Sequence, residues 1–191
     1  KLELLETYKR GAMQKIFSQQ VRFKEENGED YPDWEEKKLG EISVIKTGKK
    51  DANIAKSYGK YRFYTCSRDY LHADVYSFEG EAILVAGNAD VGLCHYYNGK
   101  FEAYQRTYVL QNFKTDGKYL YKYLSHFFRQ YALGLMQSSA MTYITLGTLE
   151  NFTVPLPSEE EQQKIATFLA TLDDKITAEK SKLTATREFK K

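Results

Sequence analysis

The sequence predicts a mixed fold of the α/β (α+β) class, in which a β-rich domain has a helix at each end. Short apolar segments separated by turn residues fill the middle of the chain, whereas apolar residues recur with a three-four spacing near both ends. At 191 residues with 42% hydrophobic content, the chain can form one globular domain with a substantial core and additional helices. Its three prolines and twelve glycines are not clustered, which argues against disorder.

The first predicted element is a helix that runs from residue 1 to about residue 20. Gly11 weakens this helix by about 1 kcal/mol relative to alanine. The acidic stretch 25–36 is predicted to be a linker or a turn, because it contains Asn-Gly and Pro-Asp pairs. The apolar residues that share one face of the helix are Leu2, Leu5, Ala12 and Ile16.

Six strands are predicted in the middle of the chain, where short apolar runs alternate with turn residues. The pair Asn98-Gly99 predicts a hairpin turn. A helix over 118–136, with Leu120, Leu124, Phe127 or Phe128, and Tyr131 on one face, follows the strands, and a short strand near Asn151–Val154 comes after it. The predicted strands are Leu39–Ile45, Tyr61–Cys66, Asp74–Phe78, Ala82–Ala86, Leu93–Tyr97 and Thr107–Phe113.

The last predicted element is a long helix that begins after Ser158. Ser158 can accept from the first-turn amides, and Glu161 stands three residues on, as a capping box requires. Thirty-odd helical residues span about 50 Å, too long to pack only on a small domain. The helix therefore needs a partner, which the first helix of this or another copy could supply; the alternative is that it lies on its own domain. Its apolar seam is Ile165, Leu169, Leu172, Ile176 and Leu183.

The two ends of the chain also resemble each other. Lys1-Leu2 and Lys9 match Lys182-Leu183 and Lys190 at the same offsets, and both segments are predicted to be helical. A chain that begins and ends on the same helix is typical of one period of a helix–domain–helix repeat. We therefore expect the sequence, which lacks an initiator methionine, to be a piece of a longer protein.

Charge is distributed unevenly along the chain, although the net charge is only +2. Residues 25–36 hold seven acids and no base, whereas residues 37–68 hold nine bases against two acids. Residues 117–149 add three bases and no acid before Glu150. The two basic segments could form one positive face for a polyanion, and an ordinary solvated surface is the alternative.

No catalytic constellation is found in the sequence. Glycine-rich phosphate loops, HExxH and GxSxG are absent, and the acids and lysine at Asp33, Glu36 and Lys38 lie too close together for a nuclease site. We expect no metal site, because the histidines lack ligand spacing, and no membrane span. Cys66 and Cys94 are predicted to be reduced core residues.

Polar residues at the ends of the predicted strands are better suited to binding than to catalysis. Thr47, Lys49 and Lys50 follow a strand, where amides and ammonium groups can reach phosphate. Arginine, asparagine and glutamine can read base edges, although each of these residues could equally cap a turn or face solvent. The predicted DNA-binding residues are Thr47, Lys49, Lys50, Tyr64, Ser67, Arg68, Asn88, Gln105, Arg106, Ser138, Ser139, Thr142 and Thr145.

Six segments, in the same order along the chain, match the pattern of one protein family. They are Trp34 with Leu39-Gly40-Glu41-Ile42, Glu81 to Gly87, Gln105 to Leu110, Tyr119 to Leu124, Leu146 to Ser158, and Glu161 to Ala166 with Leu169, Leu172, Asp173 and Ile176. This ordered set resembles the target recognition domain of the specificity subunits of type I restriction–modification systems, and its last segment is similar to the start of the family's conserved helix. The resemblance covers nearly the whole chain.

The resemblance implies a fold and a division of the chain. The fold would be a recognition domain with a small twisted, mainly antiparallel sheet, plus two long helices that form an antiparallel coiled-coil-like arm. Residues 1–20 would be the central spacer helix, 21–157 the target recognition domain and 158–191 the distal spacer helix. The helix–helix interface would contain Leu5, Ala12, Ile16, Ile165, Leu169, Leu172, Ile176 and Leu183.

The resemblance also implies a function without catalysis by this chain. Such subunits read a split site in double-stranded DNA with two recognition domains, and two modification subunits that methylate adenine dock on them. This chain holds one domain, which fits the C-terminal half of a subunit. S-adenosylmethionine, ATP and Mg²⁺ would belong to the modification and restriction subunits, and the location would be cytoplasmic.

Three alternatives remain open at the level of sequence. The chain could be a protein-interaction module on a coiled coil with no DNA role, or a recognition domain fused to a methyltransferase or nuclease; an independent hydrolase is the third. We further expect two copies of this half to form a homodimer through their exposed helix faces, because a lone apolar seam is unfavourable in water. Light scattering that shows a strict monomer at high concentration would contradict this expectation.

Overall fold

The computed structural model describes residues 1–137 and 143–189, with side chains described to residue 186. These residues form two units, which are treated separately below. The helical unit contains residues 1–34 and the chain from Pro157 onward, and the sheet unit contains Glu35–Leu156. The sequence-based division assigned residues 21–157 to the recognition domain, whereas residues 21–34 group with the helices.

The helical unit is built on helices α1 (Leu2–Phe17) and α5 (Glu159–Phe189), which pack antiparallel. Ion pairs show that the helices are antiparallel, because residues near the start of α1 pair with residues far along α5. Lys1 Nζ lies 3.1 Å from Glu179, and Lys9 pairs with Asp173. The predicted pairing of the first helix with the last within one chain is therefore present.

The contact between the two helices is apolar along most of its length. Leu5 and Ala12 are half-buried, but Leu183 is 42% exposed. Leu183 lies past the end of the partner helix, since Lys1, at the start of α1, is already level with Glu179. The buried members of the predicted interface are Ile16, Ile165, Leu169, Leu172 and Ile176.

A fully buried carboxylate fixes the loop between α1 and the sheet unit to the start of α5. Glu161 Oε2 accepts from Arg22 Nη2 at 2.7 Å and from Trp34 Nε1 at 2.9 Å. Ser158 Oγ accepts from the amide of Glu161, as predicted. The reciprocal half of the predicted capping box is wrong, because the Glu161 carboxylate bonds to these two distant side chains instead. We call Arg22, Trp34 and Glu161 the Glu161 cluster.

The sheet unit contains a six-stranded sheet of order β2-β7-β5-β6-β3-β4 and a separate ribbon of β1 with β8. All strand pairs are antiparallel except β3 with β6, so the sheet is mainly antiparallel, as predicted. The strands are β1 Glu35–Lys38, β2 Val44–Thr47, β3 Tyr61–Tyr64, β4 Leu71–Ala73, β5 Phe78–Ala86, β6 Cys94–Ala103, β7 Thr107–Gln111 and β8 Thr153–Leu156. The helices are α2 Leu39–Ile42, α3 Gly117–Gln137 and α4 Leu146–Glu150.

Two predicted strands are wrong in part. Leu39–Ile42 is a helical turn, because Leu39 and Ile42, three residues apart, are both buried and the Glu41 carboxylate accepts from the Lys38 amide at 2.9 Å. Only the end of the predicted strand Leu39–Ile45 belongs to β2. The predicted strand Asp74–Phe78 is also misplaced, since β4 ends at Ala73 and β5 begins at Phe78.

The predicted hairpin turn at Asn98-Gly99 is wrong as well. These residues lie inside β6, opposite Glu81 and Gly80 of β5. Residues 87–93 make the connection instead. The long apolar ladder between β5 and β6 determines the register, and Gly99 with φ +147° accommodates a local distortion within that ladder.

Helix α3 covers strands β5 and β6 with one apolar face. Leu120, Leu124 and Phe128 are fully buried, as the helical spacing predicted. Ala132 is buried with them, whereas Tyr131, which was predicted on this face, is half-buried. Phe128 packs edge-on against Phe152 with ring centroids 5.2 Å apart. Within the described residues, no helix has a stretch long and apolar enough to cross a membrane.

Candidate functional site

Five loops meet at one side of the sheet unit, and main-chain hydrogen bonds join four of them. Gly87 N donates to Arg106 O at 2.9 Å, and Ile144 N donates to Gly87 O at 2.9 Å. Gln105 N donates to Lys50 O at 3.0 Å. Because rigid strands carry these loops, their side chains are held in a defined arrangement. We call this surface the loop face; it contains residues 47–51, 65–70, 87–93, 104–106 and 143–145.

Arg106 lies at the centre of the loop face. Its carbonyl oxygen also accepts from Cys66 Sγ at 3.2 Å, so its main chain is bonded to two neighbouring loops. Its side chain is exposed, and the guanidinium carbon lies 5.5 Å from the ring centroid of Tyr143. A polar cavity of about 360 Å³ opens beside it, lined by Thr47, Gly87, Gln105, Arg106, Tyr108 and Ile144.

An acid between two arginines links the loop face to helix α3. Arg129 donates to Asp90, and Arg68 Nε lies 3.6 Å from the other oxygen of that carboxylate. The hydrogen bond from Arg129, with the charge of Arg68, holds the pKa of Asp90 below its usual range. Asp90 is therefore ionised at neutral pH. The Arg68 side chain remains 85% exposed, so it can still reach a ligand.

Several predicted binding residues have structural partners of their own. Ser67 Oγ donates to Asp69 O at 2.9 Å, and Thr145 Oγ1 caps helix α4 by accepting from the Thr148 amide. Gln105 Nε2 lies 3.5 Å from Asp51. These contacts are exposed to solvent, so a ligand could replace them at little cost. Thr47 and Lys49 are exposed, whereas Lys50 and Asn88 are half-buried.

Tyr64 requires a correction. Its side chain is only 2% exposed, and its ring packs against Phe101 with centroids 6.0 Å apart. Its neighbour Phe63 is also buried, so both faces of the end of β3 are covered, and the predicted direct contact of Tyr64 with DNA is wrong. Three further predicted residues, Ser138, Ser139 and Thr142, lie outside the described residues. For the others the predicted roles in binding stay predictions.

The loop face is less basic than the linear sequence suggested. Among its described residues four bases face three acids: Lys49, Lys50, Arg68 and Arg106 against Asp51, Asp69 and Asp90. Much of the positive charge of residues 37–68 thus lies on other surfaces. Selectivity on this face must therefore depend on hydrogen bonding and shape as well as on charge.

The sequence reasoning missed Asp90 as a partner of two arginines, and Arg62, which lies in a group of tyrosines beside the loop face. A sequence signal for Arg62 existed, since Tyr61-Arg62-Phe63-Tyr64 places a cation among aromatic residues. No local signal indicated the ion pair of Asp90 with Arg129, because 39 residues separate them.

A sheet that presents polar loops at one side is typical of a recognition module. Comparison with known proteins identifies the class further. Residues 31–186 match the family model described as the type I restriction modification DNA specificity domain. The chain belongs to this family.

Two curated relatives agree with that assignment. The chain is 36% identical to the type I restriction enzyme EcoDI specificity subunit of Escherichia coli, over 79% of this chain and 34% of the relative. It is 28% identical to the MjaVIII specificity subunit of Methanocaldococcus jannaschii, over 92% of this chain and 49% of the relative. The chain thus spans between a third and a half of the length of these curated relatives.

Two solved structures share the fold. The S subunit of a type I restriction-modification system from M. genitalium matches with a TM-score of 0.78 and 18% identity, over 98% of this chain and 52% of that chain. The HsdS subunit from Thermoanaerobacter tengcongensis matches with a TM-score of 0.66 and 20% identity, over 93% of this chain and 45% of that chain. These identities support the fold alone.

Proposed function

We propose that this chain is the DNA-reading half of a type I specificity subunit and that the loop face reads one half of a bipartite target in double-stranded DNA. The observation that supports this most strongly is the convergence of five loops around Arg106 in a chain that belongs to a DNA specificity family. Loops carried by a rigid sheet can enter a groove while the sheet itself stays outside it.

The proposed roles follow from side-chain chemistry. Lys49 and Lys50, beside the exposed hydroxyl of Thr47, are suited to phosphate contacts that position the duplex. Arg106 and Gln105 are suited to bidentate contacts with guanine and adenine edges. Arg68 can add a third base contact, because its guanidinium is exposed and only loosely paired with Asp90.

The helical unit would dock the modification subunit. Helix α1 exposes large apolar side chains, with Leu4 73% and Tyr8 58% exposed, and such residues favour a protein partner. The restriction subunit would join through that complex, and a second copy of this chain could pair through the same faces. The proposal assigns no reaction to this chain: the methyl donor, ATP and Mg²⁺ would bind to partner subunits, and the complex would act in the cytoplasm.

Selection of bound duplexes from a random pool should yield one preferred half-site. Replacing Arg106 by alanine should then cost about 1–3 kcal/mol on that half-site and relax the preference at one base position, because a bidentate base contact is lost. Titration of labelled duplexes measures both effects.

Arg10→Ala is the matched control, since it removes the same exposed side chain from helix α1. It should leave base preference unchanged. Equal binding of all duplexes by the unaltered chain, or the same selected half-site for Arg106→Ala at unchanged affinity, would contradict the assignment of base reading to the loop face.

A further inference from the structure

Arg62 of strand β3 lies in a group of tyrosine rings beside the loop face. Its guanidinium carbon lies 4.4 Å from the ring centroid of Tyr70 and 4.6 Å from that of Tyr97. Nη1 donates to Tyr64 Oη at 3.3 Å. These three rings hold the cation in one place, so it loses little additional freedom when it binds a ligand.

The charge of Arg62 has no acidic partner in the part of the chain that the structure describes. No carboxylate there lies within ion-pair distance of its guanidinium, although the side chain is half-buried. Arginines that lose part of their hydration are normally paired with an anion. The aromatic rings compensate for only part of the lost hydration. Most of the five N–H donors of the guanidinium do not donate to Tyr64. This arrangement is suited to an anion supplied by a ligand.

Arg62 is continuous with the loop face through its own tyrosines. Tyr70 ends the loop 65–70, and its ring centroid lies 5.9 Å from that of Tyr64. The carbonyl of Tyr64 in turn accepts from Thr107 Oγ1 at 3.3 Å, next to Arg106. A ligand that covers the loop face would therefore also reach Arg62.

We propose that Arg62 binds a backbone phosphate of the DNA at the edge of the loop face. This inference rests on the proposed function of that face. A phosphate suits the site better than a base edge, because Arg62 lies on a strand, whereas the groove floor is reached by protruding loops. The planar guanidinium can bind two phosphate oxygens at once, which a lysine cannot do.

Binding of a random-sequence duplex at several salt concentrations tests the inference. Arg62→Ala should weaken binding roughly tenfold on all sequences, because a charged hydrogen bond is lost. The slope of log affinity against log salt should become smaller by about one, since one fewer counterion is released. Arg62→Lys should keep most of the slope, because it keeps the charge, but should lose affinity because it lacks the planar fork.

Two controls keep the result interpretable. The thermal unfolding midpoint of each variant shows whether it is folded, and the lysine variant remains informative if the alanine variant is not. Arg106→Ala tests the loop face in parallel, on a duplex that contains the selected half-site. If Arg106→Ala weakens binding to the selected half-site and Arg62→Ala changes nothing, the inference fails while the proposed function stands.

Three other outcomes would also overturn the inference. A loss confined to one base position would make Arg62 a base reader. Unchanged DNA affinity with loss of the modification subunit on co-purification would make its ligand a protein carboxylate. Absence of DNA binding by the unaltered chain at low salt would reject the proposed function itself and this inference with it.

Discussion

Replacing Glu161 by alanine should lower the free energy of unfolding by about 3 kcal/mol. The carboxylate is fully buried and accepts from Arg22 at 3.3 and 2.7 Å and from Trp34 at 2.9 Å. Its removal leaves the indole N–H of Trp34 without its acceptor, and it leaves the Arg22 guanidinium with the carbonyls of Tyr31 and Pro32 but without the carboxylate. The Arg22 side chain is 19% exposed, so water can replace part of the lost hydrogen bonding. The expected destabilisation therefore lies at the lower end of the range for breaking a buried ion pair.

Urea denaturation at neutral pH measures the effect, with Glu160→Ala as the matched control. Glu160 precedes Glu161 in the same first turn of α5 but is exposed. Its replacement should change the free energy of unfolding by no more than about 0.5 kcal/mol. Similar losses for the two variants would mean that the first-turn charge, rather than the Glu161 cluster, stabilises this end of the helix.

Replacing Gly48 by alanine should destabilise the sheet unit by about 3 kcal/mol and abolish DNA binding. A Cβ atom at this position would overlap the main-chain oxygens of Ala103 and Tyr104, which cannot move as a side chain could. The loop 47–51 would have to leave the sheet, and its hydrogen bond from Gly48 N to Thr107 O at 3.1 Å would be lost. Thr47, Lys49 and Lys50 would then be displaced from the loop face.

Thermal unfolding and duplex titration of the same protein preparation check both parts of this expectation. Gly134→Ala is the control, because Gly134 lies in helix α3 with no atom within 4 Å of the added carbon. It should raise the stability by about 0.5–1 kcal/mol, since alanine is the better helix former. A Gly48→Ala variant with an unchanged unfolding midpoint and normal binding would show that the loop 47–51 is adaptable.

The elements that the sequence predicted well are those determined by local periodicity. Helix α3 buries Leu120, Leu124 and Phe128 on the face that their spacing indicated. The seam of α5 is buried in the same way through Ile176. Turn residues also located the loop 87–93 between two strands, because glycine and asparagine mark such connections independently of distant contacts.

The elements that failed depend on contacts between distant parts of the chain. Glu161 forms hydrogen bonds with Arg22 and Trp34, which lie 139 and 127 residues away, rather than with its own helix end. The parallel pairing of β3 with β6, and the ribbon of β1 with β8, have no local signature either. Tyr64 was predicted to be accessible at the end of a strand, but other parts of the chain cover both faces of β3 there, and its side chain lies in the core.

The candidate site could be predicted in position but not in electrostatics. The loops that carry Thr47, Arg68, Gln105 and Arg106 converge, as expected for strand ends on one side of a sheet. The excess of positive charge in residues 37–68 is not reproduced on the loop face, because strands direct alternate side chains to opposite faces. Asp90, paired with Arg68 and Arg129, reduces the positive charge of the face further.

Exchange of specificity in a living cell tests most directly whether this chain reads DNA. All 191 residues would replace the matching half of a two-domain specificity subunit, and adenine methylation would be mapped with the host's modification subunit present. One half of the methylated bipartite motif should change to a new sequence, while the other half is retained. Continued methylation of the host's original motif by the assembled hybrid would contradict a role for this chain in choosing the target.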